Sequence, residues 1–143
     1  MLNRNRFTFL AGLAALILVV LACSAIKDGR PAADSAIVEF HSRLNEQKYK
    51  EIFDTSHQDL KNVASEEELT KLLSAVHSKL GMVVDSKNQT WKAGTYNLTT
   101  TVQMMQSTEF EHGKADEMFV FVIEGKKAFL QTYNINSMDL IVK

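Results

Sequence analysis

The chain has 143 residues, 45% of them hydrophobic, with 16 basic and 17 acidic side chains and one cysteine. That length has room for one hydrophobic core, and a lone cysteine excludes an internal disulfide. A charge near zero excludes the basic face that nucleic acid requires, so no nucleic-acid partner is expected.

The chain opens on a short basic segment, Met1 to Arg6, followed by apolar or small residues from Phe9 to Ala22. This is the grammar of an export signal. The run ends in Val20-Leu21-Ala22-Cys23, with Ala directly before the only Cys. That stretch resembles the lipobox of bacterial lipoproteins, whose Cys thiol takes a diacylglycerol before the peptide is cut just ahead of it. The resemblance implies a signal peptide over 1–22, lipidation of Cys23 as the first mature residue, and attachment to the membrane through that lipid. No other cofactor and no metal is implied. Because Ser24 rather than Asp follows the Cys, the same analogy implies an outer membrane address facing the periplasm in a Gram-negative host. Two other readings stay open. The uncharged stretch from Phe7 to Ile26 is about as long as a bilayer span, and ordinary secretory cleavage after Ala22 would leave Cys23 as a free thiol. Arg4 and Arg6 are the only charges before Cys23, so the chain from there on carries 14 basic and 17 acidic side chains and no polybasic patch for anionic lipid.

Residues 23–33 show no periodic pattern and read as a tether, leaving 34–143 as a single domain. Asp34 or Ser35 can cap a first helix, in which Ile37, Phe40, His41 and Leu44 share one face. Tyr49, Ile52 and Phe53 open a short second helix, and His57 to Ala64 stays open between helix and loop. Ser65 with Glu68 forms a capping box for a third helix. Its apolar stripe is Leu69, Leu72, Leu73, Val76 and Leu80, and Gly81 is placed to end it. Beyond Gly81 the period becomes that of strands. Met82 to Val84 and Thr90 to Lys92 are short candidates, with Gly94 allowing a turn or bulge between pieces. Tyr96, Leu98, Thr100, Val102 and Met104 alternate with polar residues as one half-buried strand. Glu111 to Lys114 reads as a turn, and Glu117 to Glu124, apolar on both faces, as a mid-sheet strand. A hairpin at Glu124-Gly125-Lys126-Lys127 leads into Ala128 to Ile135. Asn136 to Lys143 closes the chain as a short strand or packed tail. The expected fold class is therefore α+β: three N-terminal helices packed on a curved antiparallel sheet of about four strands.

That order resembles the nuclear transport factor 2-like, or cystatin-like, cone fold. Within it, Asn45 to Val84 is similar to a group of uncharacterised exported bacterial proteins. The shared points are Lys48-Tyr49, Phe53-Asp54, Val63, Ser65-Glu66-Glu67 and Leu80-Gly81. The resemblance implies a cone-like fold and an envelope address. That group has no settled activity to carry over.

Chemistry is sparse. None of His41, His57, His77 and His112 has a partner at zinc-ligand spacing. His41 sits at the edge of an apolar helix face and reads as a packing residue. Asp54-Thr55-Ser56-His57 places an acid, hydroxyls and an imidazole together, which reads either as a nucleophile with its base or as helix termination and capping. Asp116 and Glu117, near Lys114, read as surface charge pairs. Phe119, Phe121, Phe129, Met104 and Met118 are the candidates to line an apolar pocket between helices and sheet. No catalytic residue is assigned. The expected role is a non-enzymatic envelope module with an envelope protein or a second copy as partner, bound through a sheet face that carries Thr99, Thr101 and Gln103. The alternatives are a small-molecule or lipid carrier using the pocket, and, behind it, an isomerase- or hydrolase-like enzyme using Asp54 or His57.

Overall fold

A computed structural model describes residues 29–142 of the chain. Residues 29–45 are helical (α1). They are followed by α2 (Tyr49–Asp54), α3 (Gln58–Val63), α4 (Glu66–Leu80), strands β1 (Val83–Tyr96), β2 (Thr99–Phe110), β3 (Gly113–Glu124) and β4 (Lys127–Asn136), and α5 (Met138–Val142). The strands form one antiparallel sheet in the order β1-β2-β3-β4. The α+β class and four-stranded sheet are as expected. Among the described residues four helical segments, not three, precede the sheet, because 57–64 folds as α3.

Each element follows from local chemistry. In α1, Ala33, Ile37, Phe40, His41 and Leu44 are buried at helical spacing. The last five residues expected in the tether, 29–33, are already helical. Ala33 extends the buried stripe one turn before Ile37. The helix therefore does not start at an Asp34 or Ser35 cap. Instead the Ser35 hydroxyl donates to the Pro31 carbonyl.

The capping box of α4 is present: Ser65 Oγ accepts from the Glu68 amide, and the Glu68 carboxylate accepts from the Ser65 amide at 2.8 Å. The Ser65 amide, and after it the Ser65 hydroxyl donating to the same carboxylate at 2.9 Å, hold the Glu68 carboxyl below its usual range. Leu69, Leu73, Val76 and Leu80 are buried, whereas Leu72 is 41% exposed, so the stripe is narrower than expected. Gly81 ends the helix at φ 78, ψ −159, a region essentially restricted to glycine.

In the sheet, residue parity decides which face meets the helices. Thr100, Val102, Met104, Gln106, Thr108 and Phe110 of β2 are buried, and so are Ala115, Glu117, Phe119, Phe121 and Ile123 of β3. Phe119 is fully buried at the centre, with the Phe40 ring edge-on at 5.1 Å between centroids and Tyr133 also at 5.1 Å. Burying such a side chain contributes about 1.5–3 kcal/mol. The opposite face carries Met105, Met118 and Val120, half-buried, and Val122, buried.

Three expectations for the sheet are corrected. The strand expected to run from Tyr96 to Met104 is broken by a two-residue turn at Asn97 and Leu98, with Tyr96 paired to Thr99. Both turn residues have positive φ, 47 and 64, the type I′ pattern whose twist matches a hairpin. A leucine where glycine is favoured hid the turn in the sequence. The irregularities of β1 lie between Val83 and Asp85 and between Asn88 and Thr90, while Gly94 pairs regularly with Thr101. Of the two readings of 136–143, the short strand is overturned and the packed tail stands: Met138–Val142 is helical (α5), and its Asp139 amide is capped by the Ser137 hydroxyl.

Candidate functional site: a sealed polar cluster and an open groove

The most unusual polar feature of the interior is Glu117. Its parity on β3 aims the carboxylate at the helices, and it is 0% exposed. Three elements supply donors. Tyr133 of β4 donates its hydroxyl to Oε1 at 2.7 Å, Thr108 of β2 donates to Oε2, and His41 Nε2 of α1 lies 2.7 Å from Oε2. With the Nε2–H form of the imidazole, three donors converge on one carboxylate, as an ionised group needs away from water. Thr108 also shares a hydrogen bond with Ser86 of β1 at 3.0 Å, so the network joins α1 to all four strands. Burial first, then the Glu117 charge and the hydrogen bond to it, hold the Tyr133 phenol well above its ordinary range. Tyr133 therefore remains a donor.

Glu117 is not a surface charge, which corrects the expectation from sequence. There, the four polar or charged residues among 112–117 outweighed the fact that Glu117 is in phase with Ala115, Phe119 and Phe121. That phase, with His41 on a buried helix face, was the available signal. Asp116 is exposed as expected, and Lys114 pairs with Glu109 rather than with either acid. Phe40 and Phe119 pack edge-on to His41 at 5.8 Å, and neither hollow described below is lined by Glu117 or His41. An acid, a base and two hydroxyls are present, but each is committed to another.

The larger concavity is a groove of about 560 Å³ between α1, the α2–α3 junction and the outer edge of β4. Phe40, Ile52, Phe121 and Leu130 form its apolar walls, and Glu39, Arg43, Lys126 and Lys127 its charged rim. Arg43 is committed to Glu39 at 2.6 Å and to the Thr55 hydroxyl at 2.9 Å. Lys126 and Lys127 make no ion pair among the described residues. A smaller hollow of about 230 Å³ lies between α3, α4 and β4, where Val63 and Leu72 are exposed.

The residues expected to line a pocket do not form one set. Phe119 and Met104 are core residues that line neither hollow. Phe121 and Phe129 line the groove. Met118 is on the other sheet face, paired with Met105 and in contact with the Gln103 amide. The sheet's helix side is thus packed at its centre, and the groove opens at the β4 edge. Thr99, Thr101 and Gln103 do share the parity of that opposite face.

In Asp54-Thr55-Ser56-His57 each group serves the backbone or a charge. Ser56 donates to the Ile52 carbonyl, Thr55 to the Glu51 carbonyl, His57 caps α3 through the Asp59 amide, and Asp54 pairs with Lys50. Among the described residues no group of His, Cys, Asp and Glu is arranged to hold a metal ion, and no helix is long and apolar enough to cross a membrane. Cys23 and the lipobox residues Val20, Leu21 and Ala22 lie outside the described residues. No family model matches the chain, and no curated protein matches it.

Proposed function

We propose that the chain is a lipid-anchored cell-envelope module that binds a ligand rather than transforming one. The observation that carries this reading is the groove at the β4 edge: apolar walls, a cationic rim, and a volume suited to a small molecule. The acid–base groups that chemistry would need are consumed in the Glu117 network, away from that groove. We read the domain as cone-like, of the nuclear transport factor 2-like or cystatin-like kind. Support comes from a helical layer on one face of an antiparallel meander, and from bulges at Asn88/Thr90 and Val120/Phe121, which bend strands.

The test is native mass spectrometry of the full chain purified from its own host's membranes. A defined adduct is expected, together with the added mass of a diacylglycerol on Cys23. Ala36→Trp, which fills the groove from α1, is expected to abolish the adduct and leave the lipid. Absence of any adduct from the wild-type chain would overturn ligand binding, and an unmodified Cys23 would overturn the anchor.

A second reading, a protein partner or second copy on the sheet face opposite the Phe119 core, is favoured by the row of half-buried Met105, Met118 and Val120 beside Thr101 and Gln103. Crosslinking at Gln103 in intact envelopes tests it.

A further inference from the structure

We infer that one end of the domain, the tip formed by the β1–β2 and β3–β4 turns, rests on the lipid surface. This inference rests on the lipid-anchor reading and adds an orientation to it.

The topology brings three features to this end. First, the described chain begins there. A Cβ on Gly29 would lie 3.0 Å from Val102 and 3.4 Å from Ile123, close to the end of β3. From that point α1 runs back along the sheet, through His41 at Glu117, to Asn45 at Val83. The segment that precedes α1 in sequence, with its apolar run and Cys23, therefore joins the domain at the tip. Between Cys23 and Gly29 the chain can reach at most about 20 Å, too short to carry the opposite end to the surface.

Second, the β1–β2 turn projects apolar side chains at this end. Tyr96 is 80% exposed and Leu98 88% exposed, with Leu98 held at φ 64. Glycine would relieve the backbone there, and a polar residue would suit water. A leucine that breaks both local rules is what an interfacial contact requires. A tyrosine beside it fits the headgroup level, where amphipathic rings settle.

Third, Thr100 pairs with Ile123, which sets the β3–β4 turn beside the first. That turn presents Lys126 and Lys127, both exposed, with Glu124 as the neighbouring carboxylate. Their stems can lie along the interface with the ammonium groups among phosphates. The opposite end also exposes Met82, Val84 and Met138, but its turn is Glu111-His112, the exposed Lys114 beside it is paired with Glu109, and α1 ends there. On this arrangement the Lys126–Lys127 rim of the groove opens close to the membrane, where an amphiphile would enter.

The test uses the full lipidated chain in phosphatidylcholine vesicles containing phosphatidylglycerol, with brominated acyl chains as quencher. Tyr96→Trp reports the tip and Lys114→Trp the opposite end, each in a Trp91→Phe background. Should that background unsettle the circular dichroism, the same pair is measured with Trp91 retained as a contribution common to both. The expected result is a blue shift and loss of most emission at position 96, with position 114 unchanged. A chain that floats with the vesicles while neither position is quenched overturns the tip and leaves the anchor standing. Equal quenching at both overturns the orientation. A chain that neither floats nor is quenched at 96 overturns both readings, and quenching at 96 without flotation overturns the anchor alone.

Discussion

The two ends of the domain are built differently. At the end where α1 stops, side chains and backbone are tied together. Asn45 accepts from the Val83 amide at 2.8 Å and donates to the Val83 carbonyl, Glu111 holds the Met82 amide, Ser137 donates to the Lys114 carbonyl, and Lys79 reaches Leu140. The Glu117 network lies toward this end. At the other end a hydroxyl pair, Thr95 with Thr100, is the main polar tie of the β1–β2 turn, and a Cβ on Gly94 or Gly125 would meet nothing within 4 Å. The contrast separates an end that specifies the fold from an end left free to touch something else. Side-chain hydrogen bonds tie the backbone at the first end, although His77 Nδ1 is buried there without a partner among the described residues, whereas Tyr96 and Leu98 stand exposed at the second.

The largest expected effect breaks the closed half. His41→Ala removes a donor from a fully buried carboxylate and opens a void, so about 3–5 kcal/mol of stability is expected to be lost in urea unfolding. A loss below about 1 kcal/mol would mean that Glu117 is not a charged linchpin.

Next comes Gly81→Ala. The substitution requires a side chain in a glycine-only conformation and places a Cβ 2.6 Å from the Glu111 carboxylate and 2.8 Å from His112. A loss of about 1–3 kcal/mol follows, whereas Gly94→Ala at the open end, with free space, is expected to be neutral or slightly stabilising. Comparable losses at both glycines would erase the contrast between the ends.

Alkaline titration sharpens it further. Unfolded Tyr133 loses its proton near pH 10, while the folded phenol keeps it. The unfolded state then binds fewer protons, so stability is intact below pH 10 and falls above it, by at most about 1.4 kcal/mol per pH unit. Chemical unfolding between pH 9 and pH 11 measures the slope, and Tyr133→Phe should remove this residue's share of it.

The smallest effect is a gain. Leu98→Gly relieves a left-handed leucine at the open turn and, after the added freedom of the unfolded chain, is expected to stabilise by about 0.5–1 kcal/mol. The same change should weaken membrane contact at the tip. A more stable protein with a less buried tip would show that Leu98 is kept for contact rather than for folding.

Much of the fold was legible because local chemistry and tertiary packing agreed. The Ser65–Glu68 box, Gly81 and the stripe of α4 act within a few residues of one another, so periodicity and capping sufficed. The β3–β4 hairpin was readable for the same reason, since Gly125 supplies a φ of 62 at its turn. The β1–β2 hairpin was not. Asn97-Leu98 lacks the glycine that marks a type I′ turn, and strand pairing imposed a conformation that leucine does not prefer. The start of α1 was missed because Ala33 looks neutral until Ile37 and the sheet give it a surface to bury.

The sequence by itself determined the α+β class, both ends of α4, the mid-sheet character of β3 and the lipobox-like stretch at Cys23. These depend on neighbours along the chain or on a side-chain period. Only the tertiary structure decided that Glu117 is a buried acceptor for His41, Thr108 and Tyr133, three residues from three separate elements. It likewise decided that Met104 and Met118 lie on opposite faces, and that the start of α1, Leu98 and Lys126 share one end. The physical reason is common to all three. Parity and helical phase say which way a side chain points relative to its own element, but only strand register and helix packing say what it meets.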